Sequence, residues 1–395
     1  MIKFSRKNKA KIVSFLDCFF IKNKKKILFV VKNKTEFSGN LRVLLEKFLA
    51  KHDNYIFYVY KDGIFPEKLR NELESINVTV LEKFTLRSFF HIVTSKTIIL
   101  SHNPRDAHIT KKCFKRKIIN LWHGVAIKKI ECLMPSIDRE KKKLLDRNSQ
   151  LYDLVIASSD IDKITNAQAF GVDESKVKVT GLPRYELLDS SYPLSSLLHL
   201  EEIKIQQLKG DKKLILYAPT FREQTISAIQ QITKKEWLLL EEFAQKFNLL
   251  IGVRPHPYDV KHLPSFIEKS ENFCLFNNEN FTEVNIILRN TDVLLVDFSS
   301  IWVDYLLLKR PILGFAKDYT HYLEQERGFI YSFQQVFPSF FLDDIENLLV
   351  ELEKVLIAKK EKYEYHNALE MFHKYKLGCQ CSENVYYEIK KIISP

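Results

Sequence analysis

VLLVDFSSIWVDYLLLKRPIL, Val293 to Leu313, is the stretch that decides the fold. It opens with an apolar run that stops at Asp297. Ser299 and Ser300 then open a segment apolar enough for a buried helix, and PILGF (311–315) reads as the next strand. Two buried strands joined through a helix must run parallel, because a hairpin cannot contain the crossover.

The same alternation extends in both directions. Upstream, KKLILYAPT (212–220), LLIGVRPHP (249–257) and a short run near 273–276 read as strands, with helices over 235–247 and 282–289. Nearer the N-terminus, strands are expected at 24–32, 55–60, 76–81, 97–101, 117–122, 153–159 and 176–181. Helices fall over 40–52, 66–75 and 85–94. Around 187–210 the periodicity weakens, which marks an interdomain connection. From about 341 the chain reads as helical and charged. The expected class is α/β and GT-B-like: two Rossmann-like domains facing a central cleft, with a helical C-terminal segment. The expected division is a basic amphipathic segment at 1–23, a domain at 24–200 and a second domain at 201–395.

The formal net charge of +12 is unevenly placed: residues 1–26 and 111–147 carry about +8 each, so the rest is acidic. Such clusters suit anionic partners such as phosphorylated substrates or an anionic membrane surface. No RRM, KH or helix-turn-helix pattern accompanies them, so nucleic acid is not an expected partner. Six scattered cysteines without a CxxC pair give neither a zinc site nor a disulfide framework. A reducing, cytoplasmic setting follows. No run reaches the roughly 18 apolar residues of a membrane span. Ile12, Phe15, Leu16, Phe19 and Phe20 are expected on one helical face flanked by lysines. That suits a helix on an anionic membrane surface or one packed on the first domain.

In parallel sheets of this kind, ligands bind at the carboxyl ends of the strands. The chemistry-bearing residues cluster there. Asp297, Ser299 and Ser300 sit between strand and helix, where free N–H groups and small residues admit a phosphate; simple capping by one serine is the plainer alternative. Arg254 and His256 lie in RPHP, whose two prolines fix the loop for a pyrophosphate or ribose. Thr220 and Arg222 follow another strand, within reach of a phosphate oxygen. In GLPRYELL (181–188), a turn holds Arg184 at the cleft edge. In NLWHGVAIKKI (120–130), His123 can take a proton from an attacking hydroxyl, Gly124 leaves room beside it, and Lys128 and Lys129 add positive potential for an anionic acceptor.

Together these motifs resemble the CDP-glycerol glycerophosphotransferase family, which builds teichoic-acid-type poly(polyol phosphate) chains. The resemblance runs from about Lys26 to Lys376. It takes in NLWHGVAIKKI, GLPRYELL, YAPTFRE (217–223), RPHP, VDFSSIWVDYLLLKRPIL, Asp318-Tyr319 and ERGFIYSF (326–333). It implies a GT-B-like fold and a CDP-polyol donor whose glycerol-bound phosphorus is attacked by a hydroxyl of a growing chain or lipid-linked saccharide, releasing CMP. It implies His123 as general base and His256 as a second essential group at the donor phosphates. Asp297, Ser299 and Ser300 then lie at the donor, with Arg254, Arg222 and Thr220 as further donor contacts. Gly124, Lys128 and Arg184 lie toward the acceptor. No metal-ligand set is implied and no tightly bound cofactor; Mg²⁺ carried by the donor pyrophosphate is compatible with the pattern. The implied location is the cytoplasmic face of the bacterial membrane, in teichoic-acid or capsule synthesis.

Departures from the family pattern are Val296 for a small hydroxyl residue, Phe298 for tyrosine, Glu186 for aspartate, and Leu377-Gly378-Cys379 with Asn384 in the tail. The alternative within the same frame is a glycosyltransferase with a nucleotide-sugar donor. A nucleic-acid-binding protein and a non-catalytic membrane scaffold are the readings from other classes.

Overall fold

A computed structural model describes residues 5–113, 115–222, 226–326, 328–358 and 363–393. The chain forms two compact units. The first comprises 1–125, 130–186 and 372–395; the second comprises 126–129 and 187–371.

The first unit carries a seven-stranded sheet in the order β3-β2-β1-β4-β5-β6-β7. Its strands are β1 (Asn23–Val31), β2 (Ile56–Lys61), β3 (Thr79–Glu82), β4 (Ser95–Leu100), β5 (Lys117–Asn120), β6 (Leu154–Ala157) and β7 (Val177–Val179). The second carries six strands in the order β10-β9-β8-β11-β12-β13. These are β8 (Lys213–Ala218), β9 (Leu249–Val253), β10 (Phe273–Leu275), β11 (Val293–Val296), β12 (Ile312–Phe315) and β13 (Phe341–Leu342). Every pairing is parallel. Both orders reverse direction next to their first strand, the topological switch of a Rossmann-like sheet.

Helices cover the sheets: α1 (Arg6–Leu16), α2 (Gly39–Ala50), α3 (Glu67–Ser75), α4 (Leu86–Thr94), α5 (Arg139–Leu151), α6 (Asp160–Phe170), α7 (Ser196–Lys209) and α8 (Lys234–Lys246). They continue with α9 (Val284–Asn290), α10 (Ile301–Tyr305), α11 (Tyr319–Gln325), α12 (Phe333–Val336), α13 (Ile345–Ile357), α14 (His366–Phe372) and α15 (Cys381–Ile393). Local signals set several starts. Thr85 and Ser88 form a capping box on α4, and Thr233 and Glu236 form one on α8. In β1, Asn23, Lys24 and Lys25 are exposed and the last six residues, from Lys26, are buried, the burial of a central strand covered on both faces.

Four expectations need correction. The stretch 187–210 is not a plain connection, because α7 fills most of it, burying Leu198 and Ile205. The helix expected after Ser300 lasts only to Tyr305, continues as a 3₁₀ turn over 306–308, and ends where Lys309 adopts φ 53°. Residues 372–395, assigned from sequence to the second domain, belong to the first unit. Asn384 Nδ2 donates to the Thr180 carbonyl at 3.1 Å, and Glu186 accepts from the Ser382 amide at 2.6 Å, so two of the departures anchor this tail.

The N-terminal segment is the fourth. Its helix stops at Leu16, and Phe20 turns against Phe89 and Phe90 (centroids 5.9 and 6.4 Å), so the five apolar residues do not share one helical face. Asp17, which interrupts the apolar run, is buried. It accepts from Arg116 at 2.6 Å and lies 3.2 Å from Lys22. Arg116 also donates to the carbonyls of Ile92 (2.8 Å) and Val93 (3.0 Å). A buried charge left without its partner destabilises by about 3–5 kcal/mol, so this segment is integral to the first unit. Residues 1–4 of it lie outside the described residues.

Candidate active site

In the first unit the site grows from the ends of β4 and β5. After β5 the chain turns sharply: Trp122 sits at φ 49°, a left-handed conformation costly for a bulky residue. Asn40, at the start of α2, holds that turn. Its Nδ2 donates to the carbonyls of Leu121 (3.0 Å) and Trp122 (3.1 Å), while its Oδ1 accepts from the Arg184 amide at 3.1 Å. Asn120 Oδ1 accepts from the Trp122 amide at 2.9 Å. The strained turn lifts His123 to the surface, between the Trp122 ring (4.0 Å, 40°) and a stacked His102 ring (4.3 Å, 14°).

The His123 Nδ1 lies 3.2 Å from the Ser101 carbonyl oxygen. A carbonyl oxygen only accepts, so Nδ1 carries the proton and the Nε2 lone pair is left available. Part of the ring meets solvent, yet the protein crowded around it lowers its pKa. The Ser101 carbonyl opposes that drop, the Arg184 and Lys32 charges add to it, and the result is about 4. Burial, with the His123 and Lys32 charges, lowers His102 to about 2. Both rings are therefore neutral near pH 7.

Gly124 and Arg184 complete this part. The Arg184 guanidinium donates to the His123 carbonyl, and a Cβ on Gly124 would lie 2.9 Å from its Nη2. With φ +157° as well, this position favours glycine. The room beside Gly124 is thus filled by Arg184, and the two together hold the backbone of the histidine turn.

In the second unit the residues gather at the ends of β8, β9 and β11, flanking the switch between β8 and β11. Asp297 is fully buried and accepts from the Thr220 amide with both oxygens, at 2.8 and 2.9 Å. Arg222 is equally buried. It donates to Asp297 at 2.7 Å, to the Thr220 carbonyl at 2.8 Å, and to Asp318 through two bonds of 2.7 and 2.9 Å. Its guanidinium lies 4.6 Å from the Tyr322 centroid and 5.2 Å from that of Phe298. Burial opposes its charge, but Asp297 and Asp318 outweigh that and push its pKa up. Arg222 and Asp297 hold the strand ends rather than presenting free charge. Phe298, in place of tyrosine, stacks on Tyr322 at 3.8 Å.

Ser299 and Ser300 are half-buried, and among the described residues neither hydroxyl makes a hydrogen bond. Capping therefore does not account for Ser300. Arg254 donates to the carbonyls of Phe276 (3.0 Å) and Phe281 (3.1 Å) and to Asn278 (2.8 Å), which ties down the loop after β10. Burial lowers its pKa to about 10, against the charges of Glu283 and Glu201. His256 packs on Phe221 (4.6 Å) and Tyr258 (5.2 Å), and its Nδ1 accepts from the Tyr258 amide at 3.4 Å. An amide N–H only donates, so here the ring proton sits on Nε2. Burial lowers the pKa of His256, and Asp259 opposes this.

Lys128 belongs to the second unit, although the sequence groups it with His123. It pairs antiparallel with Phe329, its Nζ lies 3.4 Å from Thr220 Oγ1, and it sits 5.3 Å from the Tyr322 centroid. Arg327, in the ERGFIYSF motif, lies outside the described residues, as does Glu223. Sequence reasoning missed Asn40, Ser101, His102 and Asp318 as parts of these sites. Asp318 was legible only as a motif residue. The other three act from β-strand ends or helix starts distant in sequence. Among the described residues, no group of three or more His, Cys, Asp or Glu side chains is placed to hold a metal ion.

Two Rossmann-like sheets, each with polar and basic residues at its strand ends, define a GT-B-like α/β fold. The sequence profile of one family, CDP-Glycerol:Poly(glycerophosphate) glycerophosphotransferase, matches residues 12–391, and the chain belongs to that family. It is 26% identical over 374 residues to a teichoic acid poly(ribitol-phosphate) polymerase of Bacillus spizizenii, covering 92% of this chain and 56% of that protein. To a teichoic acid poly(glycerol phosphate) polymerase of the same organism it is 26% identical over 359 residues, covering 86% of each. The fold superposes on the wall teichoic acid polymerase TagF with a TM-score of 0.78 at 21% identity, over 98% of this chain and 94% of that one.

Proposed function

We propose that the protein transfers a polyol phosphate, glycerol phosphate foremost, from a CDP-polyol to a hydroxyl of a teichoic-acid-type or capsular cell-surface polymer or of its lipid-linked saccharide, releasing CMP. The acceptor oxygen forms a bond to the glycerol-bound phosphorus, the bond from that phosphorus to the CMP oxygen breaks, and the hydroxyl proton passes to His123. Family membership supports the reaction class, and a TagF variant has been soaked with CDPG. The observation that carries the assignment is the tautomer of His123: Nδ1 is engaged by the Ser101 carbonyl, so a neutral Nε2 is left to accept a proton. His256 has the opposite tautomer. Its Nε2–H can donate to a donor phosphate oxygen as negative charge builds on the leaving CMP. The Ser299 and Ser300 hydroxyls and Lys128 suit the donor phosphates, while Arg222, Asp297 and Arg254 hold that surface in place. Phosphoryl transfer of this kind needs positioning and charge stabilisation more than covalent help.

The test is CMP release from CDP-glycerol and CDP-ribitol, with a short polyol-phosphate chain and with a lipid-linked disaccharide analogue, for the native protein and His123→Ala. Release that disappears in His123→Ala supports the transferase. UDP release from a nucleotide-sugar with no CMP release would replace it by the glycosyltransferase reading.

Peripheral attachment to an anionic membrane is part of the proposal. No helix among the described residues is long and apolar enough to cross a membrane. Phe15, Phe19, Ile21 and Leu86 are 68%, 71%, 88% and 89% exposed, with Lys24, Lys25 and Arg87 near them in sequence. Because Asp17 is buried, paired point changes test this better than deletion of the segment. Phe15→Ser with Phe19→Ser should weaken co-sedimentation with anionic vesicles and leave turnover of a soluble acceptor intact. Equal sedimentation rejects it.

A further inference from the structure

Apart from the His123 site, the first unit contains a cavity of about 610 Å³ walled by α1, the turn after β4 and α5. Six cations line it: Lys7, Lys11, Arg105, Lys141, Lys143 and Arg147. Two carboxylates share the wall, Asp138 and Glu140, and Asp138 already caps α5 by accepting from the Lys141 amide at 2.7 Å. Neighbouring cations of α1 are neutralised, Arg6 by Asp106 at 2.6 Å and Lys9 by Asp62 at 2.7 Å. Among the described residues, none of the six lining cations has a salt bridge. Of these six, Arg105 is the one with a buried side-chain nitrogen, Nε, that has no hydrogen-bond partner among the described residues. Burial lowers its pKa, the charges of Arg6 and Arg147 lower it further, and Asp106 opposes.

Unpaired cations facing one another across a cavity repel, and a partly buried guanidinium without an acceptor loses hydration that nothing replaces. A ligand with several acceptor oxygens and negative charge removes both costs. Guanidinium forks match phosphate oxygens. No aromatic side chain lines the cavity, so it offers nothing for a nucleobase to stack on.

We propose that this cavity binds a diphosphate or a short phosphodiester run of the acceptor, separate from the CDP-polyol donor. The inference rests on the transferase reading for the identity of the acceptor, but not for the anion chemistry. Arg105 stands four residues beyond Ser101, whose carbonyl orients His123, so one strand-end segment serves both the base and the anion site.

The experiment is calorimetric titration of the full chain with pyrophosphate, with saturating CDP present to fill the donor site. Native protein is compared with Arg105→Gln/Arg147→Gln and, as a second pair at exposed positions of α5, Lys141→Gln/Lys143→Gln. Losing both arginines should weaken binding about 100-fold, about tenfold for each charged contact, and the native affinity should fall steeply with salt. A short poly(glycerol phosphate) chain and vesicles carrying a diphosphate lipid are the two further arms. A raised KM for the chain at unchanged kcat assigns the site to chain phosphates; lost binding confined to the vesicles assigns it to the lipid headgroup. Equal pyrophosphate affinity in native protein and both variants, or no binding by native protein with CDP present, overturns the proposal. If native protein releases no CMP from any donor but pyrophosphate binding still depends on the arginines, the transferase reading fails and the anion site stands.

Discussion

The two histidines differ in one detail of their surroundings. His123 faces a carbonyl oxygen, His256 an amide N–H. The first is thereby left with a lone pair on Nε2, the second with a proton there. Identical side chains thus present opposite hydrogen-bonding groups at Nε2, each set by a single backbone group. The surrounding charge differs too. Around His123 burial keeps the ring neutral, and the cations Arg184 and Lys32 add to that. In the second unit Arg222 is enclosed between two carboxylates, so rigidity there comes from ion pairs. One site keeps a ring uncharged with its Nε2 lone pair open; the other fixes charge to shape a strand-end surface.

The largest test of this contrast is glutamine at each position. Glutamine can donate a hydrogen bond near the Nε2 position but cannot accept a proton at neutral pH. His123→Gln should lower kcat/KM about 10²–10⁴-fold. His256→Gln should stay within about tenfold of native, whereas His256→Ala should lose about 10²-fold. Equal losses in the two glutamine variants would end the tautomer assignment.

Next in size is Arg222→Met. Removing the guanidinium leaves Asp297 buried without its cation and should destabilise the second unit by about 3–5 kcal/mol, read as a lowered urea midpoint. Burial alone would raise the Asp318 pKa, but its bond to Arg222 holds it below the usual carboxylate range. In Arg222→Met it should therefore rise. A variant as stable as native protein would mean the strand ends need no such pair.

The smallest effect is on pH. A base with a pKa of about 4 is already unprotonated well below neutrality. The acid limb of kcat/KM should therefore lie near pH 4 instead of near 6.5. The same depressed pKa makes a sign for stability. The unfolded histidine binds a proton below about 6.5 and the folded one does not until about 4. The His123 contribution is thus present above about 6.5 and falls away as pH drops through that window. An acid limb that remains near 6.5 would show that the ring is not kept neutral.

Much of the fold was legible because buried parallel strands leave unbroken apolar runs. β1, β8 and β11 declare themselves this way. The tail did not, since α15 carries the periodicity of any amphipathic helix and nothing in that pattern names the unit it packs on. Glu186 and Thr180, far earlier in the chain, decide it.

By itself the sequence determined two α/β units, their strand-end loops and the residue types at each, because strand spacing and loop position follow from local periodicity. Tertiary structure decided which atoms surround those residues. Arg222 and Asp297 read in the sequence as separate strand-end charges, and the structure pairs them with each other. Lys128 stands five residues after His123 yet packs with Thr220. The tautomers depend on Ser101 O and on the Tyr258 amide. The physical reason is that hydrogen bonding and desolvation depend on which atoms lie within about 3 Å, and neighbours at that range come mostly from elsewhere in the chain.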